Sequence, residues 1–123
     1  MTTLPHNSDY EWLIVGAALK YRDCRYVASD LVAAEDFHDV RCGAIYQSIA
    51  EVEAARQPVN RFTVQQRLAI AHSAECVAVA LQTAAVVDVG MVRQAAEKVR
   101  DLAMRRRVPA PVPAGPPPTE EEP

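Results

Sequence analysis

The 123-residue chain contains no G-x-x-x-x-G-K-[ST]. Its four glycines, Gly16, Gly43, Gly90 and Gly115, stand alone, and none precedes a lysine. A loop that cradles nucleotide phosphates needs clustered glycines and that lysine, so the chain carries no nucleotide-hydrolysing motor of this kind. Aromatic residues make up only 6% although half of the residues are apolar. Alanine, valine and leucine supply most of the rest, a mixture suited to thin, closely packed helices and poor for a β-sandwich. No apolar run approaches the roughly 20 residues that span a bilayer. The opening MTTLPHNSDYE lacks a basic segment leading into an apolar one, so it is not a secretory signal. Cys24, Cys42 and Cys76 are an odd, scattered set with no C-x-x-C. They read as reduced, small, semi-buried residues of a cytoplasmic protein. Thirteen Lys and Arg against sixteen Asp and Glu give a net charge of −3, so the chain as a whole has no basic footprint for nucleic acid or membrane.

Proline divides the chain. Only Pro5 and Pro58 fall within residues 1–108, and the other seven prolines lie in residues 109–123, PAPVPAGPPPTEEEP. Proline fixes φ and removes a backbone donor, so that stretch is expected to be an extended, disordered Pro/Glu tail, with Glu120, Glu121 and Glu122 as a solubilising end. Residues 1–108 are expected to form the folded domain.

Within the domain, Ser8-Asp9-Tyr10-Glu11 reads as a capping box that opens a helix from about Asp9 to Tyr21. That helix is apolar all round and is expected at the centre, with Gly16 allowing a close crossing. A short helix from Arg25 to Ala34 is expected next, burying Val27, Leu31 and Val32. A connector, Glu35 to Asp39, carries Phe37 as its anchor. Asp39 caps a helix from Val40 to about Arg56, with Ile45, Ile49 and Val52 on one stripe. Gln57-Pro58-Val59-Asn60 breaks it. Thr63-Val64-Gln65-Gln66 reads as a second capping box, opening a helix to about Ala71. Ser73 to Val87 reads as helix; the run Cys76 to Ala80 also fits a buried strand, but no second strand stands ready to pair with it. Asp88 caps a last helix to about Arg107, with Val92, Ala95, Ala96, Val99, Leu102 and Ala103 inward and the i,i+4 pairs Arg93–Glu97 and Asp101–Arg105 outward. The fold expected is all-α, a compact bundle of about six helices, with Trp12, Phe37, Ile45 and Tyr46 as structural anchors.

Chemistry-bearing groups are sparse. His38 and Cys42 lie four apart, but a structural zinc site usually shows two such pairs. Glu35, Asp36 and Asp39 flank a helix start, where acids favour the helix dipole. No metal, cofactor or catalytic residue is expected. The candidate interaction residues are Lys98, Arg100, Arg105, Arg106 and Arg107. The last three sit where positive charge stabilises a helix end, so capping competes with contact to an acidic partner or DNA.

Four segments carry a resemblance. The first is Pro5-His6-Asn7 with Glu11 and Ile14-Val15-Gly16. The second is Ala34-Glu35-Asp36-Phe37-His38, leading into Arg41 to Tyr46. Gln57-Pro58-Val59-Asn60, with Thr63-Val64 and Leu68, is the third, and the run Ala95 to Ala103 the fourth. In this order they resemble the N-terminal domain of DnaB-type replicative helicases, here standing alone without the ATPase motor. The resemblance implies a helical domain with no catalytic residues, which packs with its copies as a collar and offers a surface to primase and loaders. The expected partners are therefore a replicative helicase, a primase or a helicase loader, with self-association possible, DNA contact weak or indirect, and no membrane. Two departures stand out. The family's G-G before its fifth helix is replaced by His72-Ser73-Ala74-Glu75, so the turn there must differ. The family's last helix runs on into a long helical hairpin, whereas here proline intervenes after Val108. A competing reading takes Thr63–Ala71 and Ser73–Val87 as a helix-turn-helix DNA-binding regulator, although the second of these helices has no arginine or lysine to reach bases or phosphates.

Overall fold

The computed structural model describes residues 8–107. Pro5-His6-Asn7 and the Pro/Glu tail lie outside the described residues. Six α-helices follow one another, with a single 3-10 turn and, among the described residues, no strand. They are α1 (Ser8–Lys20), α2 (Arg22–Leu31), α3 (Val40–Ala54), α4 (Arg61–Arg67), α5 (Ser73–Thr83) and α6 (Val89–Arg107), with the 3-10 turn at Ala34–Asp36 between α2 and α3. No helix of the described residues is long and apolar enough to cross a membrane.

The all-round apolarity of α1 decides its place. Every residue from Trp12 to Leu19 except Leu13 is buried, and α1 packs against α2, α3, α5 and α6. α6 lies across α1 and α2 and buries the expected stripe of Val92, Ala95, Ala96, Val99, Leu102 and Ala103. Asp88 caps it by accepting from the Met91 amide at 2.8 Å. α3 leans on α1 with Cys42, Ile45, Ile49 and Val52, and the short α4 closes the gap between α3 and α5 through Val64. Cys24, Cys42 and Cys76 are unpaired and buried. Burial pushes the Cys24 thiol up, with Asp23 adding to it, and burial pushes Cys42 up further.

The helix boundaries depart from the expectation in several places, and α4 ends at Arg67 rather than near Ala71. Ser8-x-x-Glu11 does not close a capping box by means of Glu11. Its carboxylate, 1% exposed, accepts from the amides of His38 at 2.9 Å and Asp39 at 2.8 Å, across 27 and 28 residues of chain. α2 begins at Arg22 because one extended residue, Tyr21, suffices for the break, and it ends at Leu31, before the extended and buried Val32. Asn60, not Thr63, caps α4. Its side chain accepts from the Phe62 and Thr63 amides at 2.9 and 3.0 Å, while the Thr63 hydroxyl accepts from the Asn60 amide at 3.1 Å, so Thr63 is the third residue of the helix. α5 stops at Thr83, four residues short.

The connector is built around aromatic packing. The Phe37 and Tyr46 rings lie 5.0 Å apart, and the Tyr46 hydroxyl donates to the Val32 carbonyl at 3.3 Å. Burial pushes the Tyr46 hydroxyl up to about 12, and Asp36 adds to the shift. Trp12, Phe37, Ile45 and Tyr46 are all buried. Phe37→Ala should lower stability by about 3 kcal/mol, read from urea unfolding, because it empties a ring-sized volume under Tyr46. An unchanged midpoint would deny Phe37 its anchoring part.

Asp39 caps α3 through the Arg41 amide at 2.9 Å. The Arg41 guanidinium, donating to both carboxylate oxygens at 3.0 and 2.7 Å, holds the Asp39 carboxyl below its ordinary range against the opposing effect of burial. A carboxyl lowered by folding stabilises the fold fully above its unfolded pKa of about 4, and that contribution is lost as pH falls through the lower folded value. Asp39→Asn should therefore flatten the fall of the urea midpoint in the acid range. An unchanged slope would mean that other carboxylates carry it.

Candidate interaction surface

The five candidate cations do not share a face. Lys98 and Arg100 are exposed on the outer side of α6, where they line a shallow groove with Gln94, Glu97 and Asp101. Acids alternate with bases along it, so it has no basic stripe. Arg105 pairs with Asp101 at 3.2 Å, as its i,i+4 spacing requires. Arg106 and Arg107 turn back toward the connector. Arg106 donates to the Asp36 carbonyl at 2.5 Å, and Arg107 pairs with the Asp36 carboxylate. That carboxylate, 7% exposed as a residue, also accepts from the Ala33 amide at 2.8 Å and so closes the 3-10 turn. Asp36 thus joins the end of α6 to the 3-10 turn of the connector that leads into α3. The adjacent basic residues of α6 divide between helix surface and internal tie.

A second surface lies apart from the candidate cations. Trp12, Arg41, Cys76 and Val79 line a hollow of about 250 Å³ where α1, α3 and α5 meet. The Arg41 guanidinium stands 5.2 Å from the centre of the Trp12 ring, and Val79 beside it is 44% exposed. Val79 stands one turn after the buried Cys76 on α5, at the exposed edge of that helix's buried face. Elsewhere on α5 the exposed positions are Ala74, Glu75, Ala78, Gln82 and Thr83, none of them a cation. Among the described residues no group of three or more His, Cys, Asp or Glu side chains is placed to hold a metal ion.

Fold and surface together define a compact six-helix domain whose buried polar side chains, Glu11 and Asp36 among them, tie its own elements together. The chain belongs to the DnaB-like helicase N-terminal domain family: the family model matches residues 3–101. It is thereby a domain of the kind involved in assembling replicative helicases, and the N-terminal domain is the part matched. The crystal structure of the N-terminal domain of DnaB helicase from Mycobacterium tuberculosis has the same fold. It superposes with a TM-score of 0.75 at 18% identity, covering 86% of this chain and 79% of that chain. No curated protein sequence matches.

The turn before α5 shows how this chain manages without paired glycines. His72 takes φ 57°, ψ 41°, the left-handed region that glycine enters freely. Its side chain is 80% exposed and makes no cap hydrogen bond. His72→Gly should raise stability by about 1 kcal/mol through relief of that backbone conformation. A lowered melting temperature would show that the imidazole contributes more than its backbone costs.

Proposed function

We propose that the chain is a non-catalytic protein–protein interaction module of DNA replication, working in the cytoplasm. It docks by helix-face packing on a replicative helicase, a primase or a helicase loader, with self-association as a second use of the same faces. The observation that carries this reading is the family match over residues 3–101, supported by the shared fold. The outer face of α6 around Lys98 and Arg100 is the candidate contact. Arg105, Arg106 and Arg107 serve it indirectly, since Asp101 and Asp36 hold them. Direct DNA contact would be weak and salt-sensitive, because α5 offers no cation for a groove and α6 alternates its charges.

The test is isothermal titration of the folded protein with the host's replicative helicase and, separately, with the C-terminal domain of its primase. Micromolar or tighter binding to either supports the module, and Lys98→Glu with Arg100→Glu should weaken it without changing helicity. Absence of heat with both, or tight DNA binding at physiological salt, would remove the reading. Reversing Arg105, Arg106 and Arg107 is a poorer test, because it also breaks the tie to Asp36.

A further inference from the structure

One end of the bundle gathers arginines for which the family reading has no use. Where the N-terminus of α2 meets the C-terminus of α3, Arg22, Arg25 and Arg56 line a groove of about 480 Å³ together with Pro58 and Val59. Arg67 joins the group by donating to the Gln57 side chain at 3.5 Å, and Gln57 also lines the groove. Against these four cations stands one lining carboxylate, Glu53, which is spent on Arg25 at 3.0 Å. Arg25 is further fixed by donating to the Ala18 carbonyl at 2.8 Å. Within 4 Å, no carboxylate of the described residues pairs with Arg22, Arg56 or Arg67. The groove is therefore positive, with planar donors suited to carboxylates, and Pro58 and Val59 add apolar contact for an aliphatic or proline side chain.

The turn that forms it is held in shape. Arg56 takes φ 59°, and the Gln57 amide donates to the Val52 carbonyl at 3.1 Å, the closing bond of a helix stop. This projects Arg56 away from α3 at the rim, and Pro58 stiffens the strand of chain that follows.

We propose that this groove binds an acidic, proline-containing peptide, and that its occupant is the Thr119–Glu122 segment of the same chain. Three consecutive glutamates there equal the uncompensated arginines in number and are opposite in charge, and prolines flank them on both sides. The reach is sufficient. The groove lies about one α3 length from Asp36, where α6 ends, which is roughly 22 Å at the helical rise. The residues between Arg107 and Glu120 would span about 40 Å in a polyproline-type extension. Tethering makes the encounter intramolecular, so weak individual ion pairs suffice to populate it. An acidic partner peptide would have to displace the segment, which makes the groove a competitive docking surface.

The test is paramagnetic relaxation on the full chain carrying Thr119→Cys with a nitroxide. Cys24, Cys42 and Cys76 are 2, 0 and 7% exposed and escape labelling in the folded protein. The amide signals of Arg22, Arg56, Gln57 and Val59 should lose most of their intensity at low salt and regain it at about 1 M salt, where the screening length is about 3 Å. Replacing Glu120, Glu121 and Glu122 by Gln in the labelled chain should abolish the loss, as should Arg22→Glu, an exposed position that does not threaten the fold. Loss spread evenly over the surface, or absent at these amides, overturns the proposal. So does loss that survives the Gln replacements, and so does loss that arises only between labelled and unlabelled copies, which would make the occupant a second molecule. A short oligodeoxynucleotide that shifts these amides while the label leaves them untouched would reassign the groove to phosphates and overturn it equally. None of these outcomes depends on helicase or primase binding.

Discussion

Gly16→Val is expected to leave the chain largely unfolded at room temperature, and Gly16→Ala to cost about 3 kcal/mol. A Cβ built on Gly16 would stand 1.9 Å from the Ala80 carbonyl oxygen, 2.7 Å from the Ala80 carbonyl carbon and 2.8 Å from the Ala84 Cβ. The obstacle is the backbone of α5, which has no rotamer to turn aside. α1 and α5 would have to separate, and the buried contacts of Val15, Val77, Ala80 and Ala84 would open together. The helix propensity gained by replacing glycine, about 1 kcal/mol, offsets only part of this. A domain of this size is stable by about 5–15 kcal/mol, so loss of the α1–α5 crossing consumes much of the margin. Circular dichroism against temperature checks it, and a fall of roughly 12–24 °C for Gly16→Ala corresponds to the stated cost. Adding Ala84→Gly should not rescue the variant, because the nearest clash is with a carbonyl oxygen. Full rescue would locate the strain at the Ala84 methyl instead.

That crossing was legible because one glycine stood in an otherwise apolar helix. The stripe of α6 and the caps at Asp39 and Asp88 were legible for a similar reason: spacing and a preceding acid are local facts. What failed was local logic applied to residues with distant partners. Glu11 fits a capping box with Ser8, but it also sits three and four residues before Ile14 and Val15, on the buried face, and the demand for an acceptor there comes from the amides of His38 and Asp39. Thr63 fits a capping box with Gln66, but the extended backbone at Asn60 puts the cap three residues earlier. The end of α5 carries no glycine or proline. Val86 is 85% exposed after the helix has stopped, and nothing in the periodicity announces it. The candidate cations divided for a physical reason as well. Arg106 and Arg107 adjoin Arg105 in sequence, yet a helix rotates adjacent residues by about 100°, and the connector offers Asp36 to the pair.

Glu11→Ala is the second large effect, expected to lower stability by about 4 kcal/mol. The carboxylate accepts two backbone hydrogen bonds inside the fold, and bonds to a charged group each contribute roughly 1.5–3 kcal/mol. Alanine would leave the His38 and Asp39 amides without this acceptor beside the α3 cap, at a place where α1 closes over them. Truncation also removes a buried charge whose desolvation was unfavourable, which keeps the net below the sum of the two bonds. Glu11→Gln separates the contributions. The amide oxygen can serve one of the two donors, but its NH2 group meets the other donor head on, so the loss should be about half or more of the alanine effect. Amide exchange gives the sharper reading: in Glu11→Ala, protection should fall first at His38, Asp39 and the opening turn of α3, while α2 and α6 keep theirs. A uniform fall with no local onset would mean that Glu11 supports the core generally. The motif resemblance already includes Glu11 four residues after Asn7, and the structure supplies a physical use for a carboxylate at that position: it fastens the first helix to the connector that orients the third.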